Sequence, residues 1–394
     1  LIRKKKAASC PSAAMSSTVC MILVWFFVIC LLVVGLVMVS STAAWAEETK
    51  HPYEPLFKQT AFACAGLVGA MILSRIDYRI WRKYIWWILG GACFLLVLCY
   101  VPGIGKEING ERRWITIGMQ FQPSECAKLC MMMALANWLA LYRDRTTSFW
   151  WGFVMPGLIF GIPLALILLE KDMGTSVALA LAAFCVMFVA GTRKIYLGGA
   201  FALAGTALYV LVQSNANRLE RFLAWKDLDA HRLGAGLQQY RASIALSRGG
   251  LDGVGLGNSA EKHGTLPFAH TDFIFAPLGE EFGFYGTMFV LLCYFLMTYA
   301  GIGVAMQCRD TYGRFLAVGI VAIIFCPAIL NIAVVTNAVP NSGLLLPFIS
   351  FGGTNLVFTL AALGMLTSIQ RFSTGAQPNC EITRKDERSI DVRL

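Results

Sequence analysis

Charge is scarce in this chain. Only 14% of its 394 residues are Asp, Glu, Lys or Arg, where a soluble domain carries about 25%. With 57% of the residues hydrophobic, that shortage excludes an ordinary soluble globular protein. A C-x-x-C pair is also missing. The 13 cysteines stand singly, mostly inside apolar runs, so they read as small apolar filler rather than a disulfide framework or zinc site. Cys126 and Cys130 would share a helical face, but neither has a His or carboxylate companion at metal-ligand spacing, and no metal site is expected. Nor is there a basic patch with interleaved aromatics. The net charge of +10 comes from residues scattered between apolar runs, which argues against a nucleic-acid partner and is the pattern of a membrane protein. No soluble domain and no repeat is evident.

The chain does hold about ten apolar runs near membrane-spanning length, at 19–40, 57–74, 84–101, 125–142, 149–169, 173–191, 195–213, 283–306, 315–336 and 350–370. They predict an all-α polytopic membrane protein of about ten transmembrane helices, with a large extracytoplasmic loop, 214–277, between helices 7 and 8. The first run invites two readings. Ala44-Trp45-Ala46 resembles a signal-peptide cleavage site, yet the run is longer than a signal core and suits a retained first helix. Basic residues fall in every second connection: Arg3 to Lys6, then Arg75, Arg79, Arg82 and Lys83, then Arg143 and Arg145, Arg193 and Lys194, Arg309 and Arg314, and the tail after Arg371. By the positive-inside rule both termini are cytoplasmic. The domain plan is therefore a cytoplasmic tail at 1–18, a membrane domain at 19–371 and a polar cytoplasmic tail at 372–394.

The stretch from Gln238 to Gly286 breaks the apolar pattern. It is rich in glycine and carries Arg241, Arg248, Asp252, Glu261, Lys262, His263, His270, Asp272, Glu280 and Glu281. A long polar connection without clear periodicity is functional or disordered, and this one has too many aromatic and apolar residues for a disordered linker. Gly253-x-Gly255-x-Gly257 lacks the strand–helix context of a nucleotide fingerprint, and its glycines serve a turn or a close backbone approach. Asp272 precedes an apolar run, where a carboxylate is either a helix cap or a general base at the membrane surface.

Other ionisable residues lie at span ends. Glu125 and Lys128, at i and i+3, share a helix face and can pair; a solvated helix-end pair is the bland alternative. Asp172 sits in a turn between two spans, as a cap or a functional group. Asn109-Gly110 is a turn signal. Arg113 after it could hold an anionic head group, and Trp114 suits either that site or plain interface anchoring. The run from Val339 to Gly353, including Ser350, Gly352 and Gly353, is turn chemistry or a re-entrant wall.

Asn109-Gly110-x-x-Arg113-Trp114-Ile115 with Phe121-Gln122-Pro123-Ser124-Glu125-x-x-Lys128, then Asp172-x-Gly174-Thr175, then Gly255-Leu256-Gly257-x-Ser259-x-x-Lys262 with His270-Thr271-Asp272-Phe273 and Gly279-Glu280-Glu281, then Leu346-Pro347-Phe348-Ile349-Ser350-Phe351-Gly352-Gly353 occur in this order. Together they resemble the SEDS family (shape, elongation, division and sporulation proteins) over about 19–371. Three departures stand out: Lys171 where the family usually has Pro, Ser342 where it has Thr, and Thr354-Asn355 where it has Ser-Ser. The resemblance implies a peptidoglycan glycosyltransferase that polymerises lipid II at the outer face of the bacterial cytoplasmic membrane and releases undecaprenyl diphosphate. It leans to the cell-division branch and a septal location, with the elongation branch as the alternative. A lipid carrier or flippase, and a non-catalytic scaffold, are the other classes. The implied partners are a class B penicillin-binding transpeptidase, other division proteins and membrane lipid. A divalent cation, magnesium or manganese, stays open as a cofactor. On this reading Asp272 is the catalytic base. Arg113, Trp114, Lys262, Arg241, Arg248 and His270 bind substrate. Glu125, Lys128, Asp172, Ser350, Gly352 and Gly353 shape the cavity.

Overall fold

A computed structural model describes residues 16–43, 53–101, 105–108, 111–117, 119–262 and 266–374. Its helices are α1 (Ser17–Ala43), α2 (Glu54–Arg75), the short α3 (Arg79–Lys83), α4 (Ile85–Leu98), α5 (Pro123–Leu141), α6 (Met155–Leu169), α7 (Met173–Val189), α8 (Lys194–Gln213), α9 (Ala216–Lys226), α10 (Leu237–Gly249), α11 (Phe275–Gln307), α12 (Thr311–Val335) and α13 (Gly353–Thr374). The ten expected spans fall on α1, α2, α4 to α8 and α11 to α13. Seven of these are long and apolar enough to cross a membrane, counting the π-helical turn Trp150–Val154 that leads into α6. Two more, α4 and α7, are shorter apolar helices. The tenth, α5, carries Glu125 and Lys128. The fold is an all-α polytopic membrane protein.

Without a hydrophobic drive between helices in lipid, close packing must hold the bundle. At Gly364 of α13, an added Cβ would come within 2.5 Å of the Ala70 backbone on α2, so a methyl group would force these helices apart. The buried core runs through α1, α5, α7, α11, α12 and α13. Helix α1 contributes Cys20, Val24, Val28, Leu31 and Met38 to it; Ala44-Trp45-Ala46 lies outside the described residues. Helix α8 is the opposite case, with Leu197 its one buried residue.

The connection after α4 holds more structure than the Asn109-Gly110 turn signal alone implies. It forms a three-stranded antiparallel sheet, β1 (Gly105–Ile108), β2 (Glu111–Ile117) and β3 (Met119–Phe121), in the order β1-β2-β3. Lys106 is registered opposite Trp114, with a bulge between Lys106 and Glu107. Asn109-Gly110 lies outside the described residues. Alternation explains the sheet: Arg113 and Ile115 share one face of β2, and Ile115 is buried.

The stretch 214–277 is likewise not structureless, since α9 and α10 lie within it. The expected eighth span at 283–306 begins earlier, at Phe275, because Gly283 breaks α11 instead of starting it. Its φ of 64° and ψ of −160° interrupt the helix. The backbone groups freed there need partners, and the glycine-rich loop after α10 supplies them. Val254 and Gly255 amides donate to the Glu280 and Glu281 carbonyls at 3.0 and 3.1 Å, and Phe284 N donates to Gly250 O at 2.9 Å. Gly253, at φ 81°, approaches so closely that a Cβ would sit 2.2 Å from Glu281 O. These glycines serve backbone-to-backbone docking.

Candidate active site

The last turn before α11 carries Asp272, and three residues, one in α12 and two in the loop before α13, fix it. Asn331 of α12, itself buried, donates from Nδ2 to the Asp272 carbonyl at 2.6 Å and to the Leu344 carbonyl at 2.6 Å. Ser350 donates to the Thr271 carbonyl at 2.6 Å and accepts from Leu346 N at 2.8 Å. Phe351 N donates to the His270 carbonyl at 3.0 Å, and the two rings lie tilted 6.0 Å apart. Ser350, Gly352 and Gly353 therefore brace the Asp272 turn and its surroundings: Gln59 of α2 bonds to Ser350 O and Gly352 N, and a Cβ on Gly353 would strike the Phe62 ring.

The carboxylate itself accepts from Thr271 Oγ1 at 2.9 Å. Burial raises its pKa from 3.8 to about 6, against the opposing pull of the Thr271 hydrogen bond and the charges of Arg221 and Arg113. A carboxylate so poised is ionised at neutral pH and can still take a proton. The cap reading does not hold, for Ile274 precedes α11 with no side-chain cap.

Arg113 extends from β2 to the start of α7. Its Nη1 lies 3.4 Å from Asp172 Oδ2. Asp172 is buried, and its Oδ1 accepts from Thr175 N at 3.1 Å, so it is both an N-cap and an ion-pair partner. Gly174 in the first turn packs on Ser342 and Leu344, which joins this pair to the loop against Asp272. Lys171 has φ 64°. A proline cannot adopt that angle, so the departure from the usual residue changes the backbone. Glu170 beside it is buried, and among the described residues its oxygens have no nitrogen or oxygen partner, the Cys99 thiol being the neighbour that favours its charged form. Burial, reinforced by Asp172, lifts its pKa to about 8. Trp114, half-buried, lies next to Arg113 on β2.

Glu125 and Lys128 pair at 2.6 Å with both side chains largely buried, so the solvated helix-end reading fails. Asn355, one of the departures, donates to Glu125 Oε2 at 3.1 Å and ties α5 to α13.

Three of the expected substrate cations are engaged elsewhere. Lys262 is fully buried, 2.9 Å from Glu281 Oε1 and 3.0 Å from Ser41 of α1. Arg248 and Arg241 reach Glu261 at 2.9 and 3.7 Å. Glu280 accepts from Ser259 Oγ and from the Ala260 and Glu261 amides. This network binds the loop after α10 to α11 and α1. The structure thus brings together Asp272, Arg113, Asp172, His270, Ser350 and Gly352, and sets Lys262, Arg241 and Arg248 in a second cluster. Among the described residues, no three His, Cys, Asp or Glu side chains gather as metal ligands. Asn331, Glu170 and Arg221 were not expected from the sequence. A lone Asn in an apolar run was the available signal for Asn331; nothing in spacing marked Arg221.

Residues 21–375 match the family of FtsW, RodA and SpoVE, described as cell cycle proteins. The chain belongs to this family. Among relatives in the FtsW, RodA and SpoVE family, the probable peptidoglycan glycosyltransferase FtsW of Trichlorobacter lovleyi is 38% identical over 338 residues, 85% of this chain and 89% of that protein. Stage V sporulation protein E of Bacillus subtilis is 38% identical over 354 residues, 87% of this chain and 94% of that protein. Among solved structures, a chain from a peptidoglycan synthase complex that coordinates polymerization and crosslinking superposes with a TM-score of 0.76 at 29% identity, covering 90% of this chain and 98% of that one. The rod shape determining protein RodA of Thermus thermophilus gives 0.66 at 27% identity, covering 90% and 97%.

Proposed function

We propose that this chain is a peptidoglycan glycosyltransferase that polymerises lipid II and releases undecaprenyl diphosphate. The observation that carries the reading is Asp272: a half-buried carboxylate with its pKa raised to about 6, braced by α12 and the loop before α13, in a family member that also holds Arg113 nearby.

The chemistry follows from the residues. The acceptor sugar hydroxyl is a poor nucleophile until its proton is removed. Asp272 takes that proton. The hydroxyl oxygen attacks the anomeric carbon of the donor, the bond from that carbon to the diphosphate oxygen breaks with inversion, and the electron pair leaves on the diphosphate. The charge that builds there needs nearby cations, and Arg113 is placed to supply one. Asp172 orients Arg113 through their ion pair. Glu125, Lys128 and Asn355 brace α5 against α13 and perform no chemistry. Lys262, Arg241 and Arg248 support the loop after α10, which is how they contribute to the site.

The Asp272 end faces the outside of the bacterial cytoplasmic membrane, with both termini in the cytoplasm. The protein works beside a class B penicillin-binding transpeptidase with other division proteins, at the septum. The relatives named FtsW favour this over a role in elongation. Purified chain with labelled lipid II, with and without the transpeptidase, tests the activity. Glycan polymer is the expected product, and Asp272→Asn abolishes it at normal expression. Polymer from Asp272→Asn at the parent rate removes Asp272 from the mechanism, and lipid II movement between leaflets without polymer favours a flippase.

A further inference from the structure

Helix α9 brings a cation to the site that no motif singled out. Arg221 is exposed and, among the described residues, takes part in no hydrogen bond or ion pair. By contrast, Lys262 is closed in with Glu281, Arg241 and Arg248 meet Glu261, and Arg113 meets Asp172. The charge of Arg221 nevertheless reaches Asp272, where it and that of Arg113 oppose the effect of burial.

The placement has a structural cause. Arg221 and Trp225 are four residues apart, so they share one face of α9. Trp225 donates from Nε1 to the Asn337 carbonyl at 3.1 Å, which docks that face on the 337–343 loop. Asn341 Nδ2 donates to Gln238 Oε1 at 2.6 Å, tying the same loop to α10. At the loop's far end, a Cβ built on Gly343 would lie 4.0 Å from Asp272 Oδ2. One segment thus carries the anchor of α9 at one end and abuts the carboxylate at the other. No contact closes between Arg221 and Asp272, so the guanidinium keeps its donors for an anion.

We propose that Arg221 binds the diphosphate of the lipid-linked donor and stabilises it as it departs, acting with Arg113. This rests on the glycosyltransferase reading above and adds a residue to it. A planar guanidinium can grip phosphate oxygens with two parallel hydrogen bonds. It is a binding residue in direct contact with the leaving group.

The test compares the full chain with Arg221→Gln and Arg221→Lys, each assembled with its transpeptidase. Three quantities are read: kcat/KM for lipid II polymerisation, the inorganic pyrophosphate concentration that halves the rate, and the pH profile. Arg221→Gln is expected to lower kcat/KM about tenfold and to raise the inhibitory pyrophosphate concentration by a similar factor, the loss of one charge-assisted hydrogen bond. It also moves the acid limb to higher pH, because a positive charge beside Asp272 is gone. A merely structural role moves neither the inhibition nor the limb. Arg221→Lys keeps the charge without the fork, so it restores the acid limb and part of the inhibition; it carries the test if Arg221→Gln fails to fold. Parent-like kcat/KM and pyrophosphate inhibition in Arg221→Gln overturn the proposal. If the parent protein makes no polymer, direct titration with pyrophosphate decides. Tighter binding by the parent than by Arg221→Gln upholds the anion site while the reaction reading falls, and equal binding overturns both.

Discussion

Asn331 grips Asp272 by its backbone and leaves its carboxylate alone. Both amide hydrogens of the buried Asn331 are used, one on the Asp272 carbonyl and one on the Leu344 carbonyl, each at 2.6 Å. A single side chain in α12 therefore sets the distance between the turn that carries the base and the loop that abuts it. The carboxylate stays free for chemistry, and its position is fixed from behind.

Asn331→Leu keeps the volume and removes both donors. Two buried carbonyls then lose a partner, which costs about 1–3 kcal/mol for each. The expected result is a destabilised protein whose remaining folded fraction polymerises lipid II more slowly than the parent. Thermal unfolding in detergent and polymer per folded molecule check the two parts. Parent-like values of both would show that the clamp is idle.

Asp272→Asn is expected to stabilise the protein while it abolishes activity. The sign follows from linkage. The carboxyl titrates at about 6 when folded and near 3.8 when unfolded, so the folded state holds the extra proton between those values. Stability contributed by this group is present below pH 4 and lost as pH rises towards 6. Above that it stays unfavourable, and a neutral amide removes the cost. The same carboxyl gives the parent enzyme an acid limb near pH 6, since protonation removes the base. A melting temperature for Asp272→Asn below that of the parent at pH 7.5 would contradict the burial argument.

Much of the frame was legible in the sequence, and for a plain reason. A bilayer demands about 20 apolar residues for each crossing, so each of the ten runs falls on a helix. Glu125 and Lys128 pair as their spacing allows. What the sequence hid depends on distant partners. Lys262 reads as a free cation until Glu281 and Ser41, 19 and 221 residues away, close on it. The start of α11 was misplaced because Gly283 looks like a helix beginning; only the docked glycine loop makes a break there tolerable. Helices α9 and α10 hid in a stretch whose glycines and charges suggested a loop. With α9 unseen, Arg221 could not be placed.

Glu170 offers a second linkage test outside the catalytic group. Burial, with Asp172 adding to it, holds its carboxyl at about 8, so it is largely neutral at pH 7. Stability from this group is lost as pH rises from about 4.5 to 8. Glu170→Gln mimics the neutral acid. It should match the parent in melting temperature near pH 4, exceed it increasingly as pH rises through 6, and hold the full advantage above about pH 8. Parallel stability profiles for the two proteins across that range would mean that the carboxyl is not held neutral.

The buried pair of Lys262 and Glu281 tests whether the second cluster is architecture or a binding site. Its two side chains are 1% and 0% exposed, so neither charge is hydrated and each depends on the other. Removing one partner strands a buried charge and costs about 3–5 kcal/mol, whereas replacing both with apolar residues of like volume is often neutral. Lys262→Met alone should therefore unfold the protein at a markedly lower temperature, and Lys262→Met with Glu281→Leu should recover most of the loss. If the pair only fastens the loop after α10 to α11 and α1, the double variant also regains lipid II polymerisation. A double variant that is stable yet inactive would instead place the Lys262 ammonium in contact with substrate, and the diphosphate would then have a third cation besides Arg113 and Arg221.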